Sequence, residues 1–347
     1  MKKLIFISAF LTVQAFAAPG FFNPNDPQLP ANLKTAASSV YQVRTAFFED
    51  YENYSDLDVV DLTKTDINEV YAIIDKSTGD KQEKEIQKAF LRMCKTPEQK
   101  QSCILPLKIN IGSGFITGSG NKLWTNAHVM EKMLKTKATT NEKSLNEILT
   151  TKNTMPLFIF DKNGNMVFNG LEEAIAFAAT PHSTQTAQSS GTFYGIDSDY
   201  IAIQLPKNIG RPLKVAKQLN SDDVAVIGYP MCTGCTAPEG MDKLEFTSRA
   251  PYQNAEDCLE KVTGGKLITP EAFGQLAQIN QYLINTLDKR SFVAYTADSH
   301  YGMSGGPILN FNGEVIGIHA GGKSVQTHNG LQRFSRGVRP PELFKEP

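Results

Sequence analysis

Short apolar runs separated by Gly-, Asn- and Pro-rich turns recur along most of the chain. Residues 39–45 alternate apolar and polar side chains in the manner of a half-buried strand. Further runs predict strands over 107–111, 114–117, 122–125, 156–160, 166–168, 200–205, 224–228, 292–296, 307–310 and 315–319. Two stretches follow a helical period instead. Ile86, Ala89, Phe90 and Met93 share one face of a helix near 84–94, and Leu276, Ile279, Leu283 and Leu287 recur at the same spacing within 270–290. Residues 49–104 are otherwise polar and read as an insertion, and residues 130–152 read as polar and partly helical. Many short strands with tight turns argue for an all-β chain, an antiparallel barrel or sandwich carrying helical insertions.

The first residues follow a different logic. Met1-Lys2-Lys3 is a positive start, Leu4 to Phe16 is apolar apart from Ser8, Thr12 and Gln14, and Ala15-Phe16-Ala17 is a small-x-small cleavage signature. This is the layout of a secretory signal peptide over residues 1–17, too short to span the roughly 30 Å of a bilayer core. The expected location is therefore secreted or periplasmic, with no membrane attachment after cleavage. Residues 18–38, rich in Asn and Pro at their start, read as an extended leader before a domain at 39–345.

Composition narrows the partners. With 35 basic and 36 acidic side chains among 347 residues, the formal charge is -1, which offers no field for a phosphate backbone and excludes nucleic acid as an expected partner. Hydrophobic residues at 41% supply a sizeable core. Export permits disulfides. Cys94 and Cys103 stand alone in their region as natural partners, while Cys232, Cys235 and Cys258 form a second group with one thiol left over. Cys232-Thr-Gly-Cys235 has redox spacing, but no helical pattern follows to lower a thiol pKa, so a structural bridge within the three is the preferred reading. No histidine lies nearby to complete a zinc site. Asp161, Asn163, Asn165, Val167, Asn169 and Glu172 fall at calcium-loop spacings, but the glycine is at Gly164 and not at the sixth position, Met166. A hairpin with an Asn-Gly turn fits better. No metal and no cofactor is expected.

Three segments carry candidate chemistry. Trp124-Thr-Asn-Ala-His128-Val129 places a histidine just past an apolar strand, Asp199 opens the run Tyr200 to Leu205, and Gly302-Met-Ser304-Gly-Gly-Pro307 sets a serine in a glycine-rich turn before another strand. Together with Gly112-Ser-Gly-Phe-Ile116, these motifs in the order His, Asp, Ser resemble the trypsin/chymotrypsin-like serine proteases; subtilisins and α/β-hydrolases use other orders. The resemblance implies two antiparallel six-stranded β-barrels (chymotrypsin-like) with the active site between them. It also implies a serine endopeptidase acting on protein or peptide substrates without a cofactor. His128 would take the proton of Ser304 and later return it to the leaving amine, and Asp199 would orient the imidazole, Asp197 being the only rival. Backbone N–H groups of Gly302 and Ser304 would form the oxyanion hole. Met303 stands where many relatives carry Asp or Asn, which sets aside activation by a new N-terminal ammonium.

The resemblance leaves the specificity pocket open. Asp298, six residues before Ser304, stands where trypsin-like members hold an aspartate for Lys or Arg. Yet the pattern through Ser299 and through Val315-Ile-Gly-Ile-His319-Ala-Gly321-Gly322 is closer to the bacterial glutamyl endopeptidase branch, where the histidine matching His319, helped by a hydroxyl matching Ser299, receives an acidic side chain. The acidic reading is favoured, although Gly305-Gly306 departs from the Gly-Ser of many glutamyl enzymes. His300 adds a charged group at the rim. Gly321 and Gly322 would let a peptide lie beside a strand edge. Competing readings are a protease-fold protein that binds without cutting, an esterase using the same residues, and a partition in which 18–105 is a separate pro-segment. Oligomeric state is not legible in the sequence.

Overall fold

The computed structural model of the chain describes residues 22–47, 59–77, 80–105, 108–135, 155–179, 199–219, 222–230, 260–269, 292–327 and 330–345. The signal-like segment 1–17, Asp197, the second cysteine group (Cys232, Cys235, Cys258) and the expected helix in 270–290 lie outside them.

β1 (Val40–Phe47) lies between two partners, β4 (Lys108–Thr117) and β6 (Leu157–Phe160), and is buried on both faces, with Val43 on one and Ala46 on the other. Beyond β4 come β5 (Lys122–Thr125), β9 (Ile201–Gln204) and β8 (Ala176–Ala179), and beyond β6 lies β7 (Met166–Asn169), giving a curled antiparallel sheet of seven strands. The second sheet closes on itself in the order β10 (Asp223–Gly228), β11 (Lys261–Ile268), β12 (Phe292–Tyr295), β15 (Gly330–Val338), β14 (Val315–Thr327), β13 (Pro307–Asn310). The chain therefore has the expected chymotrypsin-like double-barrel fold. Only the second barrel is a closed ring of six strands. The first keeps β7 and β8 as edges among the described residues.

The runs 107–111 and 114–117 form one strand, β4, across Gly112 and Gly114, where the packing leaves no room for a side chain. A Cβ at Gly112 would come within 2.6 Å of the Val129 methyls, and one at Gly114 within 2.9 Å of the Trp124 carbonyl. The β6–β7 hairpin also forms as expected. Gly164 turns at φ 74°, and the Asp161 carboxylate accepts the N–H groups of Asn163 and Asn165, both at 2.9 Å. Its charge stabilises a turn.

One apolar cluster joins the two sheets. Phe115, Trp124 and Ala202 of the first meet Ala225, Ile227, Leu309, Ile318 and Val338 of the second. Leu29, Leu33 and Ala36, the last two on α1 (Ala31–Ala37), complete it, so part of the expected leader is built into the core. β1 lies inside the first sheet, between β6 and β4.

The insertion carries β2 (Val59–Val60) paired to β3 (Cys103–Ile104), with α2 (Ile67–Lys76), α3 (Lys81–Met93) and α4 (Pro97–Gln101) between them. α3 has two apolar sides: Ile86 and Ala89 pack on Ala46, Phe158 and Phe160, while Leu91 joins Val70 and Ile74 of α2. Arg44, buried in β1, holds Asp80 at the N-terminus of α3 through two hydrogen bonds of 2.8 and 2.6 Å. Asp80 also caps that helix by accepting from Glu83 N–H. Cys94 and Cys103 are joined by a disulfide across 5.8 Å between their Cα atoms.

Candidate active site

Because β5 and β9 pair antiparallel with Thr125 opposite Ile201, the residues after Thr125 and before Ile201 leave the sheet at one edge. There α5 (Ala127–Lys135) begins, with His128 in its first turn and Asp199 across from it. Asp199 Oδ2 lies 2.7 Å from His128 Nδ1, and Oδ1 accepts the backbone N–H of His128 at 3.0 Å. Asn126 Nδ2 donates to the Asp199 carbonyl at 2.6 Å. The carboxylate thus fixes both the ring and the backbone that carries it, leaving Nε2 to the cleft. Asp199 keeps 10% side-chain exposure and His128 38%.

These contacts set the charges. Burial alone would push the imidazole pKa down, but the Asp199 carboxylate outweighs it and holds His128 above its ordinary 6.5. Burial would likewise raise Asp199, and the imidazole together with the His128 N–H holds it below the usual carboxylate range. The pair favours an imidazolium beside a carboxylate.

Ser304 comes from the second barrel, on the turn leading into β13. Gly302 and Gly305 both adopt left-handed backbone, φ 89° and 90°. A Cβ on Gly305 would run into the Ser113 carbonyl and the Thr125 hydroxyl, so only glycine fits there. The N–H groups of Met303, Gly305 and Gly306 bond to the carbonyls of His300, His319 and Met303. Those of Gly302 and Ser304 bond to none of the described residues and remain as a pair of donors at the turn. Ser304 Oγ and His128 face one cleft and do not meet hydrogen-bond geometry with each other; such contacts commonly tighten only when substrate is present.

Ser113, at the centre of β4, ties this turn to the first sheet. Its N–H donates to the Ser304 carbonyl at 2.7 Å and its hydroxyl to the Gly302 carbonyl at 2.7 Å, while it accepts from Tyr229 N–H at 2.9 Å. Thr125 Oγ1 donates to the Ser113 carbonyl at 2.7 Å. Sequence reasoning quoted Ser113 inside its motif and gave it no role. Its place between two glycines was the only signal.

The cleft encloses 480 Å³ and brings together His128, Asp199, Gly302 and Ser304, with Ser299, His300, Gly321 and Gly322 on its walls. Two expected specificity residues do not line it. Asp298 stands aside, its carbonyl accepting from Thr263 Oγ1 at 2.7 Å. His319 is fully enclosed, with Nδ1 against the Tyr295 hydroxyl. Glu131 and Arg336 do line it, and the sequence reading had singled out neither. A separate depression of 620 Å³ beside α1, with Arg211, Lys214 and Glu314 on its walls, holds no comparable nucleophile and base.

No curated protein matches the chain. Among solved structures, the active form of a protease from M. tuberculosis is similar at 14% identity, covering 91% of this chain and 82% of that one, with a TM-score of 0.39. A family profile, the trypsin-like peptidase domain, matches residues 112–318, the span from the first glycine of β4 to the strand behind Ser304. With more than half its length inside that match, the chain belongs to the trypsin-like peptidase family.

Proposed function

We propose that the protein is an exported serine endopeptidase whose triad is His128, Asp199 and Ser304. The observation that carries this reading is the Asp199–His128 pair facing Ser304 across one cleft, beside two unengaged N–H donors at Gly302 and Ser304.

The chemistry follows from those positions. A serine hydroxyl is a weak nucleophile until a base takes its proton. His128 Nε2 receives that proton as Ser304 Oγ attacks the scissile carbonyl carbon. Negative charge then gathers on the carbonyl oxygen, where the N–H groups of Gly302 and Ser304 stabilise it; each such donor is worth roughly 10²–10³ in rate. Collapse breaks the C–N bond, the amine leaves with the proton from His128, and an acyl group stays on Ser304. Water, deprotonated by His128, then releases the acid and restores the serine. Asp199 stays ionised throughout and stabilises the imidazolium.

The residue on the acyl side of the cut is acidic in this reading. Asp298, the residue that would have favoured Lys or Arg, stands outside the cleft, while Ser299 lies on its wall. Export rests on residues 1–17, whose pattern is that of a cleaved signal.

A peptide-library digest read by mass spectrometry, comparing the mature protein with Ser304→Ala, tests the proposal. Cuts made by wild type alone, following Glu or Asp, are expected. Ser304-dependent turnover of small esters without any peptide cleavage would favour an esterase, and no Ser304-dependent turnover would favour a binding protein on a protease fold.

A further inference from the structure

We propose that Arg336 is the residue that selects the substrate, its guanidinium receiving the carboxylate of the acidic side chain that precedes the cut. This rests on the endopeptidase reading above and names the group that would give that site its preference.

Arg336 lies on β15 between β12 and β14, where its cross-strand neighbours are Ala294 and Gly321. Both are small, so a long side chain has room on either side. Gly321 sits at a bulge in β14, with φ 131° and nothing within 4 Å of where its Cβ would be. The space opposite Arg336 is therefore open to the cleft, and Arg336 lines that cleft together with Ser299, Gly302 and Ser304.

Among the described residues the cation has no carboxylate partner, although it is half-buried. A partly desolvated guanidinium is costly without an anion, and its planar fork matches a carboxylate through two parallel N–H···O bonds. The nearby anion Asp199 is already taken by the backbone N–H and the ring Nδ1 of His128. The positive charge of Arg336 is felt at all three neighbours, helping to lower the pKa of Asp199 and opposing the raised pKa values of His128 and Tyr295.

The alternatives named by sequence pattern are worse placed. Asp298 does not line the cleft, and His319 is enclosed behind the Tyr295 hydroxyl. In this arrangement Tyr295 and His319 support the wall from behind, and the group that touches the substrate is Arg336. Ser299, in hydrogen-bond contact with Ser335 Oγ at 3.0 Å, borders the same space.

The test compares kcat/KM on matched peptides carrying Glu, Asp, Ala or Lys before the cut, for wild type, Arg336→Gln, Arg336→Lys and Arg336→Glu. Thermal melting confirms that each variant is folded, and Ser304→Ala provides the background. The expected result is an acidic-to-neutral ratio that falls about 100-fold in Arg336→Gln, as for other charge pairs deprived of one partner. Arg336→Lys should retain part of that ratio, and Arg336→Glu should turn the preference to Lys. An unchanged acidic preference in Arg336→Gln would overturn the proposal. So would Ser304-dependent cleavage by wild type that ignores acidic residues, and in both cases the endopeptidase reading survives. Absence of any Ser304-dependent cleavage would instead remove that reading, and this proposal with it.

Discussion

The imidazole of His128 is pulled in two directions, and the outcome sets the pH at which the site works. Burial favours the neutral ring, but Asp199 at 2.7 Å favours the charged one and prevails. A general base must be neutral to accept the Ser304 proton, so kcat/KM is expected to rise with pH along a limb lying above 6.5, the ring's ordinary value. Asp199→Asn removes the charge that raises this pKa and leaves an amide that can bond the wrong tautomer. The variant should lose about 10⁴ in kcat, and its remaining activity should rise along a limb at lower pH. A pH–rate profile of both proteins checks this; a limb that stays in place would show that Asp199 does not set the ring's charge. At this scale the sequence singled out several residues that line one cleft. His128, Asp199, Gly302 and Ser304 are neighbours in the structure because each stands where a strand begins or ends. Arg336 was illegible, since nothing in Phe-Ser-Arg-Gly indicates which face of a strand points into a cleft.

An acid in an awkward position stands just before β11. Glu260 is buried, neither carboxyl oxygen has a hydrogen-bond partner among the described residues, and burial pushes its pKa well above 4.5. With the folded pKa above the unfolded one, the unfolded chain releases this proton first as pH rises. Stability therefore falls above about pH 4.5 until the folded group also ionises. Glu260→Gln should remove that slope, raising Tm more at pH 7.5 than at pH 4.5; melting curves at the two pH values decide it, and an equal shift at both would contradict the account. The strands that escaped the sequence reading have related causes. β11 contains Gly264 and Gly265, and a Cβ on the latter would collide with the backbone of Ala297. β15 is interrupted by arginines and glycines, because it is paired on both sides and borders the cleft. β8 has too few large apolar residues to register, with alternate positions exposed.

The two sheets divide the site between them: His128 and Asp199 come from the first, and Ser304 and its glycine turn from the second. The cleft exists because those sheets share one apolar core, completed by α1, and because Ser113 bonds across to the serine turn. Removing either connection is expected to move Ser304 relative to His128, the nucleophile and base of the proposed mechanism. An antiparallel barrel or sandwich was legible from the short strands and turns, and the double barrel was what the family resemblance implied. The role of residues 29–37 was not, because a Pro- and Asn-rich start gives no period to read and its helix is short. The insertion's attachment through Arg44 and Asp80 was hidden for a different reason, since the pair is 36 positions apart in sequence.

The most direct measurement is covalent. The folded mature protein should react with a fluorophosphonate to give one adduct per chain, mapped by peptide mass spectrometry to Ser304. The adduct should be lost in Ser304→Ala and form far more slowly in His128→Ala. A single adduct at Ser304 that depends on His128 is what the account predicts. A folded protein that takes no label, or takes it elsewhere than Ser304, would contradict it.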